Sequence, residues 1–462
     1  MTTSEFYKIR SADALSVAAL SFVMLSLVTG VGAEEVGATG NVRYGQGKPQ
    51  TTTGAGASIV SGWQFNVLLD PAGTAKAWGR MNEDEVFTEA VQVSAGMRHV
   101  LGVKADGTVV GWGSELNGIA VVPSDLPPAM AVAAGAFHSA VLLRDGTVRC
   151  WGFAGDGRTE TPAGLRNVIA LAAGRDHSLA LKSDGTVVAW GCNLEGQCRV
   201  PADLTNVSAV AAGGAHSIAL RKDGSVVAWG NDEYGQAKVP AGLTGVIAVA
   251  AGLDHSLALK ADGTVTGWGN NSSGQLNLSG GGYTAISAGY QHSVGLRGGP
   301  VLDAQPQGGL FYGGSEVTLS AGTQADGASF QWLLNGREIP GATGRTLNLQ
   351  NLTASHAGLY SVRVSTAAGS TTSHVTPLVV RGRARTALEL TEDGTPLVTV
   401  TDEFQQPITP ALAEGYHLEV SDNLTDWRRS NSRPVNQNDG SLQFTDTRDP
   451  NASARFFRIT QD

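Results

Sequence analysis

Six histidines recur at near-constant spacing: His99, His138, His177, His216, His255 and His292. The first five stand 39 residues apart and the last follows after 37. A serine follows most of them, as in His177-Ser178, and an Asp-Gly step comes shortly after, as at Asp184-Gly185. Histidine, serine and aspartate together invite a nucleophile–base reading, and a ring of imidazoles invites a metal. The repetition argues against both. Equivalent atoms in successive repeats are too far apart to share one ion, whose ligands must lie at about 2 Å. The aspartates fall at the opposite end of the strand from the histidines, out of reach for a triad. A buried histidine bonded to nearby backbone accounts for every copy. No Walker or dinucleotide glycine loop is recognisable. The expectation is a chain with no catalytic residue, no metal site, no cofactor and no enzymatic activity.

The elements that hold these histidines read as strands. One phrase recurs: Ala-Gly-x-x-His-Ser-Leu-Ala-Leu-Lys-x-Asp-Gly-Thr-Val-Val-Ala-Trp-Gly. In one copy, residues 170–173 form a short first strand and His177–Lys182 an alternating second strand. Asp184-Gly185 makes a two-residue hairpin turn, where positive φ favours Asp-Gly. Thr186–Trp190 is a third strand, and an Asn193–Gln197 loop follows. A meander of about 40 residues repeated several times predicts a propeller. A divergent copy precedes the six, with Asn66 expected in the histidine place, which makes seven. The last copy stops at Arg297 without its third strand. Residues 38–48 parallel residues 228–238, so the N-terminal segment is expected to supply that strand and close the ring, which removes exposed sheet edges. Six blades is the alternative.

Strand direction then sorts the loops. The residue pair before each histidine and the Asn-x-x-Gly-Gln loop share one face, and the Asp-Gly turns lie on the other. The most variable positions gather on the first face. They are Trp63, Arg98, Phe137, Arg175, Asp176, Asp254 and Tyr290 from the pairs, with Tyr44, Phe153, Glu195, Glu233 and Tyr234 from the loops. Aromatic and arginine side chains on one loop face suit a protein-binding surface. Drift at positions that packing does not constrain is the competing explanation.

The phrase His-Ser-Leu-Ala-Leu-Lys-x-Asp-Gly-Thr-Val-x-Ala-Trp-Gly-x-Asn-x-x-Gly-Gln resembles the regulator of chromosome condensation repeat. The short period and the Val-Pro-Ala link are similar to the bacterial branch of that family, which includes secreted inhibitors of class A β-lactamases. The resemblance covers residues 35–297. It implies a seven-bladed propeller that engages a protein through the loops of one side.

From about Pro300 the pattern changes. Val317–Leu319, Phe330–Gly336, Leu347–Leu349 and Ala357–Val362 resemble an immunoglobulin-type sandwich over residues 301–381. Trp332 would be its core tryptophan and Tyr360 its corner tyrosine, with Ala321 and Val362 where such domains often carry a disulfide. Residues 382–462 read as a further β module, marked by the alternation of Tyr416, Leu418 and Val420 and by Leu424, Trp427 and Phe456–Ile459. Asp422, Asp426, Asp439, Asp446 and Asp449 lack the spacing of a calcium loop and read as solvated turns.

Composition sets the remaining bounds. With 61 glycines and only 16 % charged residues, the chain is an all-β candidate. A net charge of −9 argues against nucleic acid as a partner. Residues 1–33 read as an export signal: Lys8 and Arg10, an apolar run over 15–28, and a small-residue cleavage site at Val31-Gly32-Ala33. A retained anchor is the alternative. Location in a periplasm, at the cell surface or in the medium follows, with no membrane span after cleavage. Three cysteines allow at most one internal disulfide, with Cys192 and Cys198 the pair that flanks one loop. The function expected is an exported protein-binding scaffold, with inhibition of a secreted or periplasmic enzyme such as a β-lactamase as one form. The alternative is a structural or adhesive protein that binds matrix or surface glycan.

Overall fold

A computed structural model describes residues 35–47, 57–81, 85–366, 369–390, 395–402, 416–421, 428–430, 432–437, 441–445 and 456–461. The expected export signal, Leu424, Trp427 and the five C-terminal aspartates lie outside these residues.

The described residues between Glu35 and Arg297 form seven sheets joined in sequence, six of three strands and one of four. The sheet around His177 is typical. Val168–Ala173 pairs with His177–Lys182, which pairs with Val187–Gly191, all antiparallel. The last sheet is completed from the other end of the chain. Glu35–Gly40 pairs antiparallel with His292–Arg297, and Gly40 faces His292 as Gly230 faces His216. The closure expected from residues 38–48 is thus present in the same register.

Two glycine columns explain why the recurring phrase varies so little. The glycine after each tryptophan lies at positive φ, for example +101° at Gly191 and +100° at Gly230. A Cβ there would fall 2.6 Å from the Asp176 carbonyl oxygen at Gly191, and 2.7 Å from that of Ala215 at Gly230. The glycine three residues before the histidine place is as tightly held. A Cβ on Gly96, Gly135, Gly174, Gly213, Gly252, Gly289 or Gly62 would lie 2.3–2.7 Å from the carbonyl oxygen of the next glycine in that order, and Gly62 returns to Gly96. The inner strand ends therefore approach one another as only glycine permits.

The same ring is drawn by backbone hydrogen bonds. Trp63 donates to Gly96, Met97 to Gly135, Ala136 to Gly174, Arg175 to Gly213 and Gly214 to Gly252. Leu253 then donates to Tyr290, and Tyr290 donates to Trp63. The circuit closes after seven steps.

A side-chain circuit lies outside it. His99 Nε2 meets Ser139 Oγ at 2.9 Å, and His138, His177, His216 and His255 meet Ser178, Ser217, Ser256 and Ser293 at 2.7–3.0 Å. His292 meets Asn66 Oδ1 at 2.8 Å. The serine hydroxyls of Ser139, Ser217, Ser256 and Ser293 donate to carbonyls of the preceding loops. Each such hydroxyl must therefore accept from Nε2–H, which sets the tautomer and leaves Nδ1 a bare lone pair. Asn66 does both tasks with one amide, accepting at Oδ1 and donating from Nδ2 to the Gln46 carbonyl at 3.1 Å.

This register corrects one expectation. Asn66 faces Trp78, as Ser178 faces Trp190, and so it holds the serine place. Phe65 faces Gly79 and holds the histidine place. The next sheet has Val100 where the others have serine, facing Trp112. Phe65 and Val100 are both buried in one apolar cluster. Donor and acceptor are lost together, so neither is stranded without a partner.

Downstream, two sheets share a core. The larger runs in the order Gly309–Tyr312, Thr376–Arg381, Gly358–Thr366, Ser329–Leu334, Arg337–Glu338, and the smaller pairs Val317–Ser320 with Thr346–Leu349. Trp332, Tyr360, Leu319, Ala321 and Val362 are all buried in that core. Tyr360 Oη donates to the His356 carbonyl at 2.9 Å, and Trp332 Nε1 donates to that of Gly344 at 2.9 Å. Beyond Arg381, two further sheets enclose Val398, Val400, Tyr416, Leu418, Val420, Leu442 and Phe444.

Two predictions follow from the histidine circuit. Desolvation pushes the buried histidines down to about 3 or 4. Above pH 6.5 neither state binds these protons. Below it the unfolded chain takes them and the native chain does not, so stability is lost as pH falls toward 4. Each histidine contributes a slope of up to about 1.4 kcal/mol per pH unit in that window. Urea midpoints should therefore drop steeply between pH 6.5 and 4.5, and a flat profile would contradict this burial. The second concerns the apolar pair. Phe65→His alone should destabilise by about 1–3 kcal/mol, because its N–H has no acceptor. Adding Val100→Ser should recover about 1 kcal/mol more than additivity allows, as read from a four-protein denaturation cycle.

Candidate functional site

Which end of each sheet is which can be read from hydrogen bonds. The residue after each Trp-Gly step, or after Thr39-Gly40 in the closing strand, donates to the residue just before the histidine place. Phe153 donates to Phe137, Cys192 to Asp176, Asn231 to Ala215, Asn270 to Asp254 and Asn41 to Gln291, all at 2.7–2.9 Å. The loops after Trp-Gly and the pre-histidine pairs therefore share one face. The Asp-Gly turns lie at the other ends of the strands, as where Gly185 N bonds Lys182 O.

The turn face is partly covered by the chain itself. Leu359, Val379 and Leu310 of the downstream sheets pack with Met130, Leu165 and Val168 of the ring. Arg381 is buried there and donates to the Asp145 carbonyl at 2.7 Å and to Asn167 Oδ1 at 2.8 Å. Asp145 belongs to an Asp-Gly turn, so this contact assigns the downstream sheets to the turn side.

The loop face carries exposed apolar surface. Of the eleven large hydrophobic residues exposed among the described residues, six stand in these loops: Val42, Tyr44, Leu116, Phe153, Leu194 and Tyr234. Leu194 is the extreme, at 88 % exposure. The concentration of such open apolar groups on one face is what an interaction surface requires. Val42, Leu116 and Leu194 escape attention in the sequence because each is a single ordinary residue in a variable loop. Their signal is column position, since Leu116 and Leu194 occupy equivalent places in their loops.

The expected residues fall into small groups. Trp63 and Tyr290 are half-buried and stacked, with ring centroids 4.5 Å apart at 37°. They line the mouth of the central channel with Met97, Arg175 and Leu253. The channel holds a cavity of only ≈ 70 Å³ walled by the glycine ring, well short of the several hundred Å³ of a usual small-molecule site. Tyr44 is exposed beneath the Arg80 guanidinium at 5.2 Å. Tyr234, Glu195, Glu233 and Arg98 are exposed. Asp254 is half-buried, and burial, with Glu233 nearby, raises its pKa.

One group differs from the expectation. Asp176 is only 8 % exposed. Its Oδ1 accepts from Arg158 Nη1 and its Oδ2 from Arg175 Nε, both at 2.6 Å. Arg158 is 3 % exposed and lies over the rings of Phe153 and Phe137 at 5.0 and 5.8 Å. It occupies the place of Gln197, Gln236 and Gln275 in their loops, a substitution visible in the sequence once the columns are aligned. Asp176 thus neutralises a buried guanidinium and has no free oxygen to offer a partner.

The histidines of the circuit and the serines that accept from them are buried. Among the described residues no three His, Cys, Asp or Glu side chains come together to hold a metal ion. Ser178, Ser217 and Ser256 are fully buried, and the Nδ1 atoms of their partner histidines meet no carboxylate. The aspartates instead brace their own turns, as where Asp184 Oδ1 accepts from Thr186 N at 2.9 Å.

A ring of repeated three-strand sheets presenting its variable loops on one side defines a repeat scaffold of the propeller type. Five stretches, residues 90–119, 131–158, 168–197, 207–236 and 246–275, match the regulator of chromosome condensation (RCC1) repeat. The chain carries repeats of that kind. Among solved structures it is similar to Prp20p from Saccharomyces cerevisiae, described with its binding to Gsp1p and histones. Identity there is 18 %, covering 58 % of this chain and 92 % of that one, with a TM-score of 0.50. It is equally similar to yeast RCC1 (Prp20) bound to Kap60, at 18 % identity, 61 % and 95 % coverage and a TM-score of 0.50. Likeness at this level shows the fold alone. No curated protein matches the chain.

The Arg158 group yields a test. Asp176→Ala removes one of two carboxylates from a buried guanidinium, leaving Asp156 Oδ2 at 2.8 Å, and should destabilise the chain by about 1–3 kcal/mol. Tyr234→Ala, at an exposed site, should change stability by less than about 0.5 kcal/mol. Comparable losses in chemical denaturation would contradict the assignment.

Proposed function

We propose that the chain is an exported, non-enzymatic protein-binding scaffold that uses the loop face of a seven-bladed β-propeller. One observation carries this. The downstream sheets sit on the turn side, while the loop side keeps Tyr44, Leu116, Phe153, Leu194 and Tyr234 open. Trp63, Arg98, Phe137, Arg175, Asp254 and Tyr290 complete the proposed contact set. The downstream unit, with its buried Trp332 and its Tyr360 corner bond, fits an immunoglobulin-like sandwich that buttresses the propeller. Export rests on the residue pattern of positions 1–33. The known fold relatives are described as binding proteins, which makes a protein partner the natural class. An enzyme of the same compartment, such as a class A β-lactamase, is the first partner to try.

The test is titration of the purified chain against a class A β-lactamase, alongside capture of partners from culture medium. A triple variant, Phe153→Ala, Leu194→Ala and Tyr234→Ala, should weaken the captured complex at least about 100-fold, since central aromatic contacts each contribute about 2 kcal/mol. Its melting temperature should fall by only a few degrees, the loss coming from the Phe153 ring beneath Arg158. A partner that binds the triple variant as tightly as the parent would overturn the loop-face assignment. Retention on polysaccharide with no protein captured would favour the adhesive alternative.

A further inference from the structure

Cys192 and Cys198 flank the loop that carries Leu194, the most open apolar side chain among the described residues. Both are thiols in the structure and both are partly accessible. Equivalent positions elsewhere hold Asn231 and Ala237, or Asn270 and Leu276, so this one repeat differs by having two sulfurs where its neighbours have none.

The local geometry brings them together. Cys198 Sγ lies 3.2 Å from the carbonyl oxygen of Cys192 and 3.9 Å from that of Gly191. The Cys192 end is anchored by its N–H on the Asp176 carbonyl at 2.9 Å. The Cys198 end is anchored by its N–H on Asn193 Oδ1 at 2.9 Å. The sulfur of Cys198 thus already rests against the backbone of Cys192. Formation of a sulfur–sulfur bond needs the Cys192 sulfur to reach a Cys198 sulfur that is already at its own backbone.

We propose that Cys192 and Cys198 form a reversible disulfide that closes the Leu194 loop. The oxidant is an external disulfide, either a small-molecule one or that of a thiol–disulfide oxidoreductase. The Cys192 thiolate attacks one sulfur of that disulfide and releases the first thiol. Cys198, deprotonated, then attacks the mixed disulfide and releases the second. Two protein thiols are oxidised, one external disulfide is reduced to two thiols, and the two protein protons pass to the leaving thiolates. Burial, with Cys192 beside it, pushes the Cys198 thiol up to about 11, so its deprotonation slows the second step, and the contact of its sulfur with the Cys192 backbone offsets that by proximity. Cys150 takes no part: it lies in the strand Val148–Gly152, and burial pushes its thiol up to about 11.

Closure would pin both ends of the loop from which Leu194 and Glu195 project. Its link to binding rests on the loop-face proposal, but the bond itself does not.

The experiment equilibrates the purified full chain with oxidised glutathione, then alkylates under denaturing conditions and maps peptides by mass. Before alkylation the expected result is a loss of about 2 Da relative to the reduced chain; after it, labelled thiols fall from three to one, with the remaining label on Cys150. Dithiothreitol should restore all three. Cys192→Ser and Cys198→Ser should each retain the folded melting profile and abolish the mass loss. Oxidised chain in which Cys192 and Cys198 both stay alkylatable, or carry only glutathione adducts, overturns the proposal. That outcome would leave the loop-face assignment standing, since the triple alanine variant tests it separately.

Discussion

The structure depends on a contact between neighbouring sheets that is made head to tail. A histidine on the second strand of one sheet donates from Nε2 to a hydroxyl or amide on the second strand of the next. Five of the six acceptors, all but Ser178, pass a proton of their own to the loop before them, so those links tie two sheets and a loop. The arrangement is compatible with burial only because every imidazole stays neutral. Just inside it, glycine carbonyls and the N–H groups that follow them form a second circuit. Neither circuit leaves room for a side chain at the glycine column, so the repeat is rigid where the sheets converge and free where the loops begin.

From that division the functional surface follows. Positions in the circuits are constrained by neighbours on both sides. Loop positions after Trp-Gly are held by a backbone bond to the pre-histidine residue and by turns within the loop, as where Gly235 N bonds Asp232 O, and their outward side chains are open to variation. The chain places Phe153, Leu194 and Tyr234 there and, through Arg381, sets its downstream sheets against the opposite face. The buried Arg158–Asp176 pair serves the same division, because it fills the place of a loop glutamine and props Phe137 and Phe153 from below.

Much of this is legible in the residues. The strand His177–Lys182, the Asp-Gly turn and the completion of the last sheet by residues near Gly40 all follow from alternation and spacing. So does the sharing of one face by the loops and the pre-histidine pairs. What is not legible depends on partners distant in sequence. Asn66 looks like a histidine substitute because both are polar, yet register puts Phe65 there, and only the neighbouring Val100 makes a phenylalanine tolerable. Asp176 looks exposed in a variable pair until Arg158, eighteen residues earlier, is placed beside it. The docking of the downstream sheets hangs on Arg381 reaching a turn more than two hundred residues away. Spacing cannot reveal such a contact.

The most direct measurement is of the histidine tautomers by nitrogen-15 NMR on the histidine-labelled full chain. The account predicts six rings with the proton on Nε2, none of which titrates above about pH 4. The histidines at 356, 374 and 417 lie outside the circuit and serve as internal comparison. Rings at the six positions that carry the proton on Nδ1, or that titrate near 6.5, would contradict the head-to-tail circuit and the closed ring built on it.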